Sequence, residues 1–252
     1  MMILRTTLYK GYNAVMTRLS ALPRLQELAV DQWGLVTRRQ MGARGIGPTT
    51  VERLAAPGGV LDRVATGVYR LAFTPAPDHL ELRAAWLQLA PATAAWDRKG
   101  EEGVVSHRSA ASMYGLGHLP ADRHDFTLSK RRQSRRPDVR IHVRKLDRGE
   151  WANLRGLLVT RPSRIASDLL WDHEDPEAVA QIVSDSIRLA LDDPGNIADQ
   201  LAPHAAKFGL RRLDGLGLLR WLLDLTNDPD VGRWMSEARA HDARAPKDGS
   251  TS

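Results

Sequence analysis

The stretch from Leu25 to Leu71 constrains this chain more than any other, because its apolar spacing changes there from helical to strand-like while glycines and prolines cut it into short pieces. Leu25, Leu28, Ala29 and Trp33 follow the i, i+3, i+4, i+8 spacing that lays one apolar stripe along a helix, and Gly34 ends that segment. Thr37 precedes Gln40 by the capping-box interval, in which the hydroxyl meets an orphan backbone amide and the Gln side chain reaches back. A second helix is therefore expected from Arg38, with Gly45 stopping it. Gly47-Pro48 suits the start of a third helix, since Pro at the first helical position gives up only an N–H that would lack an intrahelical partner. After Pro57-Gly58-Gly59, the runs Val60 to Val64 and Val68 to Leu71 flank Ala65-Thr66-Gly67, the pattern of a hairpin with a short Gly-bearing turn.

Three short helices followed by a hairpin make the element order of a winged helix-turn-helix. In that arrangement Val51, Leu54 and Ala55 face inward from the third helix, leaving Thr49, Thr50, Glu52 and Arg53 outward, where a recognition helix meets base edges and phosphates in a major groove. Arg53 is the foremost candidate for reading a base. Arg38 and Arg39 at the start of the second helix, with Arg63, Thr66 and Arg70 on the wing, complete the expected DNA-facing set. Charge points the same way: residues 1–73 carry ten Lys/Arg against four Asp/Glu, and such a surface attracts phosphate in a salt-dependent manner. Helical modules with a hairpin also bind proteins, so the order alone leaves the partner open.

A chain of 252 residues with 42% hydrophobic content can build two modest cores, and the winged segment uses less than a third of it. The expected organisation is an arm over 1–19, a winged helix over 20–73, a larger mixed α/β domain with a helical C-terminal half over 78–236, and a disordered polar tail over 237–252. The Pro-punctuated run Thr74-Pro75-Ala76-Pro77-Asp78 marks the break between the two domains. The fold class is thus α/β in the broad, α+β sense. Absence of cysteine excludes disulfides and thiolate metal sites. No apolar run approaches membrane-spanning length, and Arg5, Lys10, Asn13 and Arg18 interrupt the N-terminal stretch, so neither a span nor a signal peptide is expected and the location is cytoplasmic. An arm carrying Arg5 and Lys10 could itself touch DNA.

Beyond the break, Leu80, Ala84, Trp86 and Leu87 support a helix to about Ala90. Val104-Val105 leads to Ser106, a good N-cap for a small-residue helix from His107 to Tyr114 that Gly115 closes. Phe126 and Leu128 alternate with polar neighbours. Lys130, Arg131, Arg132, Arg135 and Arg136 then crowd a turn, and Ile141 and Val143 alternate with Arg140, His142 and Arg144. Period two predicts a basic hairpin whose second strand shows its arginines to solvent. Residues 123–148 hold ten Lys/Arg against three Asp, which fits either an edge protected by charge or a phosphate-tracking patch that shares one nucleic acid with the first basic zone. A buried strand over Gly156 to Thr160 is followed by helices opening at Pro162 and Pro176 and further helices near 197–208 and 213–225. Residues 150–252 reverse the balance, with twelve Lys/Arg against seventeen Asp/Glu, so front and back are expected to meet different partners.

Patterns that would carry catalysis are weak. Ser106 and His107 are adjacent, and neighbouring helical residues point about 100° apart, so the pair is not expected to meet and capping accounts for the serine. Asp168 and Asp172 stand i, i+4 on a helix and could hold a divalent ion, but acid pairs at a helix end more often form solvated surface. His118 and His124 lack the companions that a zinc site needs. Gly45 and Gly47 start a dinucleotide fingerprint that Thr50 fails to complete, and no phosphate loop occurs. No catalytic residue, metal or cofactor is therefore expected. The rival from another class is a restriction-like endonuclease, or a nucleic-acid-binding protein derived from one. Such a domain needs an acid and an acid-x-Lys pair on neighbouring strands to hold its metal, and no such pair follows Ser106 in an assignable strand. A third possibility is an RNA-binding or protein-interaction module working through the basic hairpin.

Three pieces together carry a resemblance: Gly67-Val68-Tyr69-Arg70-Leu71 closing the wing, Val104-Val105-Ser106-His107-Arg108-Ser109-Ala110-Ala111 running to Gly115-Leu116-Gly117, and Val159-Thr160-Arg161-Pro162-Ser163-Arg164 before Asp168-Leu169. In this order over residues 20 to 225, the chain resembles the AbiE-type abortive-infection antitoxins of type IV toxin-antitoxin systems. The resemblance implies a winged helix that binds inverted repeats in its own promoter as a transcriptional repressor, an antitoxin domain that counters a nucleotidyltransferase toxin, and no enzymatic activity. It assigns promoter contact to Thr49, Thr50 and Arg53 and to the wing around Arg63 and Arg70. The chain departs from the family pattern at Thr66, where a basic wing tip is usual, and at Gly47-Pro48, where a polar cap and a basic residue are usual. Fewer charges imply weaker, less salt-sensitive base reading.

Overall fold

The capping box forms as its spacing predicts: Thr37 Oγ1 accepts from Gln40 N at 3.1 Å while Gln40 Oε1 accepts from Thr37 N at 2.9 Å, opening helix α2 (Arg38–Ala43). In the computed structural model, which describes residues 22–243, this helix belongs to a first unit holding the chain up to Glu102 together with Arg155–Leu157. Residues 22–29 form α1, which a single 3-10 turn (Val30–Gln32) extends. Trp33 and Gly34, at φ 58° and 77°, turn the chain into strand β1 (Leu35–Thr37). Helix α3 (Pro48–Leu54) starts with Pro at its first turn, as expected. Strands β2 (Leu61–Ala65) and β3 (Val68–Leu71) form the hairpin, and β1 joins it in the order β1-β3-β2, antiparallel throughout. Strand β1 has no counterpart in the sequence reading because all three of its residues are buried, which removes the alternation that marks a strand. Leu25, Leu28, Met41, Val51, Leu54 and Leu61 meet in one core.

The boundary between units falls after Glu102 and not at the proline-rich break near Pro75, which corrects the expected division at 73/78. Helix α4 (Leu80–Leu89) packs on β1, β2 and β3 and buries Leu82, Ala84, Ala85, Trp86, Leu87 and Leu89. A helix so deeply buried on the hairpin side cannot leave with another domain. The expected arm over 1–19 lies outside the described residues.

The second unit carries a five-stranded sheet in the order β6-β5-β4-β8-β7, built from β4 (Val104–Val105), β5 (His124–Leu128), β6 (Val139–Val143), β7 (Trp151–Leu154) and β8 (Leu157–Thr160). β4 runs antiparallel to β5 and parallel to β8, and β5 runs parallel to β6 with Asp125 opposite Arg140 and Thr127 opposite His142. The predicted basic hairpin is therefore corrected. Residues 129–138 return along the whole of β5, a span of about 16 Å for a five-residue strand, which a ten-residue connection covers when extended. Arg155 and Gly156, both at positive φ, form the two-residue turn between β7 and β8.

The helical half follows as expected in kind. Helices α5 (His107–Tyr114), α6 (Pro162–Trp171), α7 (Pro176–Arg188), α8 (Pro194–Leu201), α9 (Gly215–Leu225) and α10 (Val231–Asp242) account for most of it, with a 3-10 segment over Ala202–Phe208. Every residue of α6 from Pro162 to Leu170 is buried, making it the central helix of this unit. α8 and α9 approach so closely at Gly215 that a Cβ there would lie 2.0 Å from the Ala198 carbonyl oxygen. α10 corrects the expected tail: the helix runs through Glu237 to Asp242 because Trp234, Met235 and Ala238 bury one stripe of it. The rest of the expected tail, from 244, lies outside the described residues.

Candidate functional site

In the first unit α3 is held from beneath by Val51 and Leu54, both fully buried, while Thr49 and Glu52 are exposed and Thr50 and Arg53 half-buried. Arg53 is thus less open than its helical position suggests, and its Nε is buried with no hydrogen-bond partner. Arg38, at the start of α2, reaches Glu52 of α3 at 3.4 Å, an exposed pair that joins the two helices and is worth little in stability. Arg39, Arg63 and the wing-tip residue Thr66 are exposed. Arg70 is committed elsewhere: its guanidinium donates to Asp62 at 2.7 Å and to the Thr74 carbonyl at 2.6 Å. The structure therefore brings Arg38 to α3 and leaves Arg39, Arg63 and Thr66 open, but uses Arg70 to brace the base of the wing.

In the second unit Lys130, Arg131, Arg132 and Arg135 are exposed on the connection between β5 and β6. Arg136 is half-buried. It forms a bidentate pair with Asp138, whose carboxyl the Arg136 hydrogen bonds hold down at about 2.

The strand that follows departs most from the sequence reading. Arg140, His142 and Arg144 were expected on a solvent face; instead that face of β6 meets the carboxylates of α6. Arg140 Nη2 lies 3.1 Å from Asp172 Oδ2, Arg144 Nη1 lies 3.7 Å from Asp168 Oδ1, and the Arg144 guanidinium also covers the Trp171 ring at 4.8 Å. Acidic α6 over basic β6 is the physical reason. Asp168 and Asp172, expected as solvated surface, accordingly sit in a packed site, Asp168 being 3% exposed.

Two histidines that the sequence reading did not single out as ligands complete this site. His107 and His142 stack with ring centroids 3.5 Å apart and planes 14° from parallel. His142 Nε2 lies 2.9 Å from Asp125 Oδ1, and His107 Nδ1 lies 2.9 Å from Ser106 Oγ, which Thr127 Oγ1 also reaches at 2.9 Å. The remaining ring nitrogens, His107 Nε2 and His142 Nδ1, each stand 3.9 Å from Asp172 Oδ2. Burial, reinforced by the neighbouring His142, pushes the His107 imidazole far below its ordinary value, so the ring is neutral at neutral pH.

The contact between Ser106 and His107 corrects two expectations. Ser106 makes no side-chain cap; its backbone is extended (φ −143°) and His107 lies at φ 52°, so the helical 100° argument does not apply to this pair. Ser106 is also fully buried, and its hydroxyl orients the imidazole. The signal available in the sequence was the alternation that places His142 beside Arg140 and Arg144; the positive φ at His107 left none. Among the described strands of this sheet, Asp125 is the sole carboxylate, so the acid and acid-x-Lys pair of a restriction-like nuclease does not assemble on them.

Among the described residues no helix is long and apolar enough to cross a membrane. No family model matches the chain, and no curated protein matches it. Among solved structures it is similar to the crystal structure of the RV2827C protein from Mycobacterium tuberculosis, with a TM-score of 0.52 at 17% identity over 88% of this chain and 81% of that one. At that identity the likeness speaks for the fold alone, a mixed α and β architecture spanning both units.

Proposed function

We propose that this chain is a cytoplasmic DNA-binding antitoxin and transcriptional autorepressor of the type IV kind, which binds inverted repeats in its own promoter and counters a nucleotidyltransferase toxin. The observation that carries the reading is the presentation of α3: two fully buried side chains anchor its inner face, a capped α2 braces it, and Thr49 stands out on the opposite face with Arg53 beside it. Exposed Arg39 at one side and Arg63 at the wing add phosphate-binding charge. The antitoxin half of the proposal rests on the resemblance to AbiE-type antitoxins, and the lack of a nuclease carboxylate set on the described strands supports it over the rival.

Binding of the full chain to the DNA upstream of its reading frame, measured by fluorescence anisotropy over a salt series, tests the reading. Duplex DNA with inverted repeats should compete far better than RNA of equal charge. Arg53→Ala should weaken operator binding by about 1–3 kcal/mol and relax base preference at one position. Equal competition by RNA, or metal-dependent cleavage of the probe, would overturn it. Rescue of growth when the chain is co-expressed with the nucleotidyltransferase encoded beside it tests the antitoxin part, and no rescue sinks that part.

A further inference from the structure

We propose that the second unit holds a divalent transition-metal ion of the zinc class between β6 and α6, ligated by His107 Nε2, His142 Nδ1 and the Asp172 carboxylate. These three donor atoms lie within 4.8 Å of one another. Each histidine already has its other nitrogen tied down, His142 to the Asp125 carboxylate at 2.9 Å and His107 to the Ser106 hydroxyl at 2.9 Å. Outer hydrogen bonds of this kind hold the rings of metal-ligating histidines and leave the second nitrogen available to an ion. A second observation stands apart from the three ligands. Asp168 is 3% exposed, its Oδ2 has no hydrogen-bond partner, and it lines the same 160 Å³ cavity as His107, His142 and Asp172. Arg164 and Arg144 approach the other oxygen of this carboxylate, Oδ1, so Oδ2 remains a buried acceptor without a donor, which a cation or a water bound to it would satisfy.

The donor set selects the ion. Imidazole nitrogens with one carboxylate suit zinc, cobalt and nickel better than magnesium or calcium, which take all-oxygen shells. Bonds of about 2.0–2.2 Å require the present separations of 3.9 Å from each nitrogen to Asp172 Oδ2 to close by several tenths of an ångström. They also require each stacked ring to turn about its Cβ–Cγ bond so that its lone pair meets the ion in plane, a soft torsion for histidine. Arg140 now holds Asp172 at 3.1 Å through a half-exposed guanidinium, and it swings into solvent when the ion arrives. Asp172 caps the C-terminus of α6, whose carbonyl ends favour a cation at that place. The bound ion would pin the sheet's edge strand to its central helix, and its placement is independent of DNA binding.

The test uses the full chain, stripped with a chelator and dialysed. Titration with Co²⁺, followed by its visible absorption, should show one ion per chain, displaced by Zn²⁺, and the thermal midpoint of the protein should rise with Zn²⁺. Asp172→Asn and His142→Asn should each weaken binding by at least tenfold, and Asp125→Asn, which disturbs only the orientation of His142, by about 10- to 100-fold. Arg140→Ala should tighten it, because it frees the carboxylate. His241→Ala, which removes the separate contacts of His241 with Asp193 and Asp199, should change nothing. Where a ligand variant loses its fold, imidazole NMR of the wild-type chain decides: one equivalent of Zn²⁺ should move the ring signals of two histidines. The proposal fails if wild-type protein takes up no ion, if Asp172→Asn and His142→Asn bind as wild type does, if Arg140→Ala weakens binding, or if His241→Ala abolishes it.

Discussion

Arg164 shows how heavily a single side chain is used in the second unit. Its Nη1 donates to Glu150 at 2.8 Å and its Nη2 to Asp168 at 2.6 Å, and both Arg164 and Asp168 are buried. Gln200 reaches the same Glu150 oxygen at 3.3 Å, so two carboxylates, one guanidinium and one amide share a site that is buried at Arg164 and Asp168 and partly open at Glu150 and Gln200. Such a network adds little net stability when whole, because desolvation offsets most of the attraction, but removing one partner strands a charge. Arg164→Ala should therefore lower the free energy of unfolding by about 3–5 kcal/mol. Arg161→Ala, three residues earlier and exposed, should stay within about 0.5 kcal/mol of wild type. Urea unfolding of both variants checks this, and near-equal midpoints would mean that Arg144 takes over the pairing. The same residues show where single-chain reading stops. Ser106 was legible as a helix start but its hydroxyl bonds His107, since a backbone at φ 52° cannot be inferred from residue type. Asp168 and Asp172 were legible as a helical pair, but the basic strand opposite them comes from more than twenty residues upstream.

Elements whose causes are local match expectation closely. The capping box at Thr37, Pro at the first turn of α3 and α6, and the glycine stop after Tyr114 each depend on neighbours within a few positions, and each formed where the spacing put it. Elements fixed from a distance did not. β1 is buried on both faces by partners that the local pattern does not name, and β6 pairs parallel with β5 while Arg140 and the following Arg144 meet carboxylates of α6 that lie more than twenty residues away in the chain. Thr37 shows what a local device contributes. It is fully buried, its hydroxyl caps α2, and the same hydroxyl donates to the Pro91 carbonyl. Thr37→Ala should cost about 2 kcal/mol, the upper end for a cap, because no water reaches the vacated groups. Hydrogen exchange should show weakened protection in α2 and α3 first, whereas a uniform drop across the chain would show that the cap acts through global unfolding only.

At the scale of the whole molecule, charge was the feature most readable in advance and the unit boundary the least. The prolines near Pro75 looked like a linker, but α4 beyond them is buried against the winged hairpin, so a chain break in composition was not a break in packing. Within the basic stretch over 123–148, Lys130, Arg131, Arg132 and Arg135 form an exposed cluster on one connection, while Arg136, Arg140 and Arg144 pair with Asp138, Asp172 and Asp168. This sorting makes a sharper prediction than the raw count. If the operator duplex touches the open cluster, replacing those four residues by Ala should lower the salt slope of binding by about 0.9 for each phosphate that is no longer neutralised, or about 3–4 in all. The order of preference among DNA sequences should stay the same, since phosphate contacts position the protein and carry no base information. A changed slope with changed preference would move base reading to the second unit. An unchanged slope together with failure to rescue growth from the toxin would assign the cluster to an acidic protein surface, because a dense patch of like charge is costly in self-repulsion unless some anionic partner meets it.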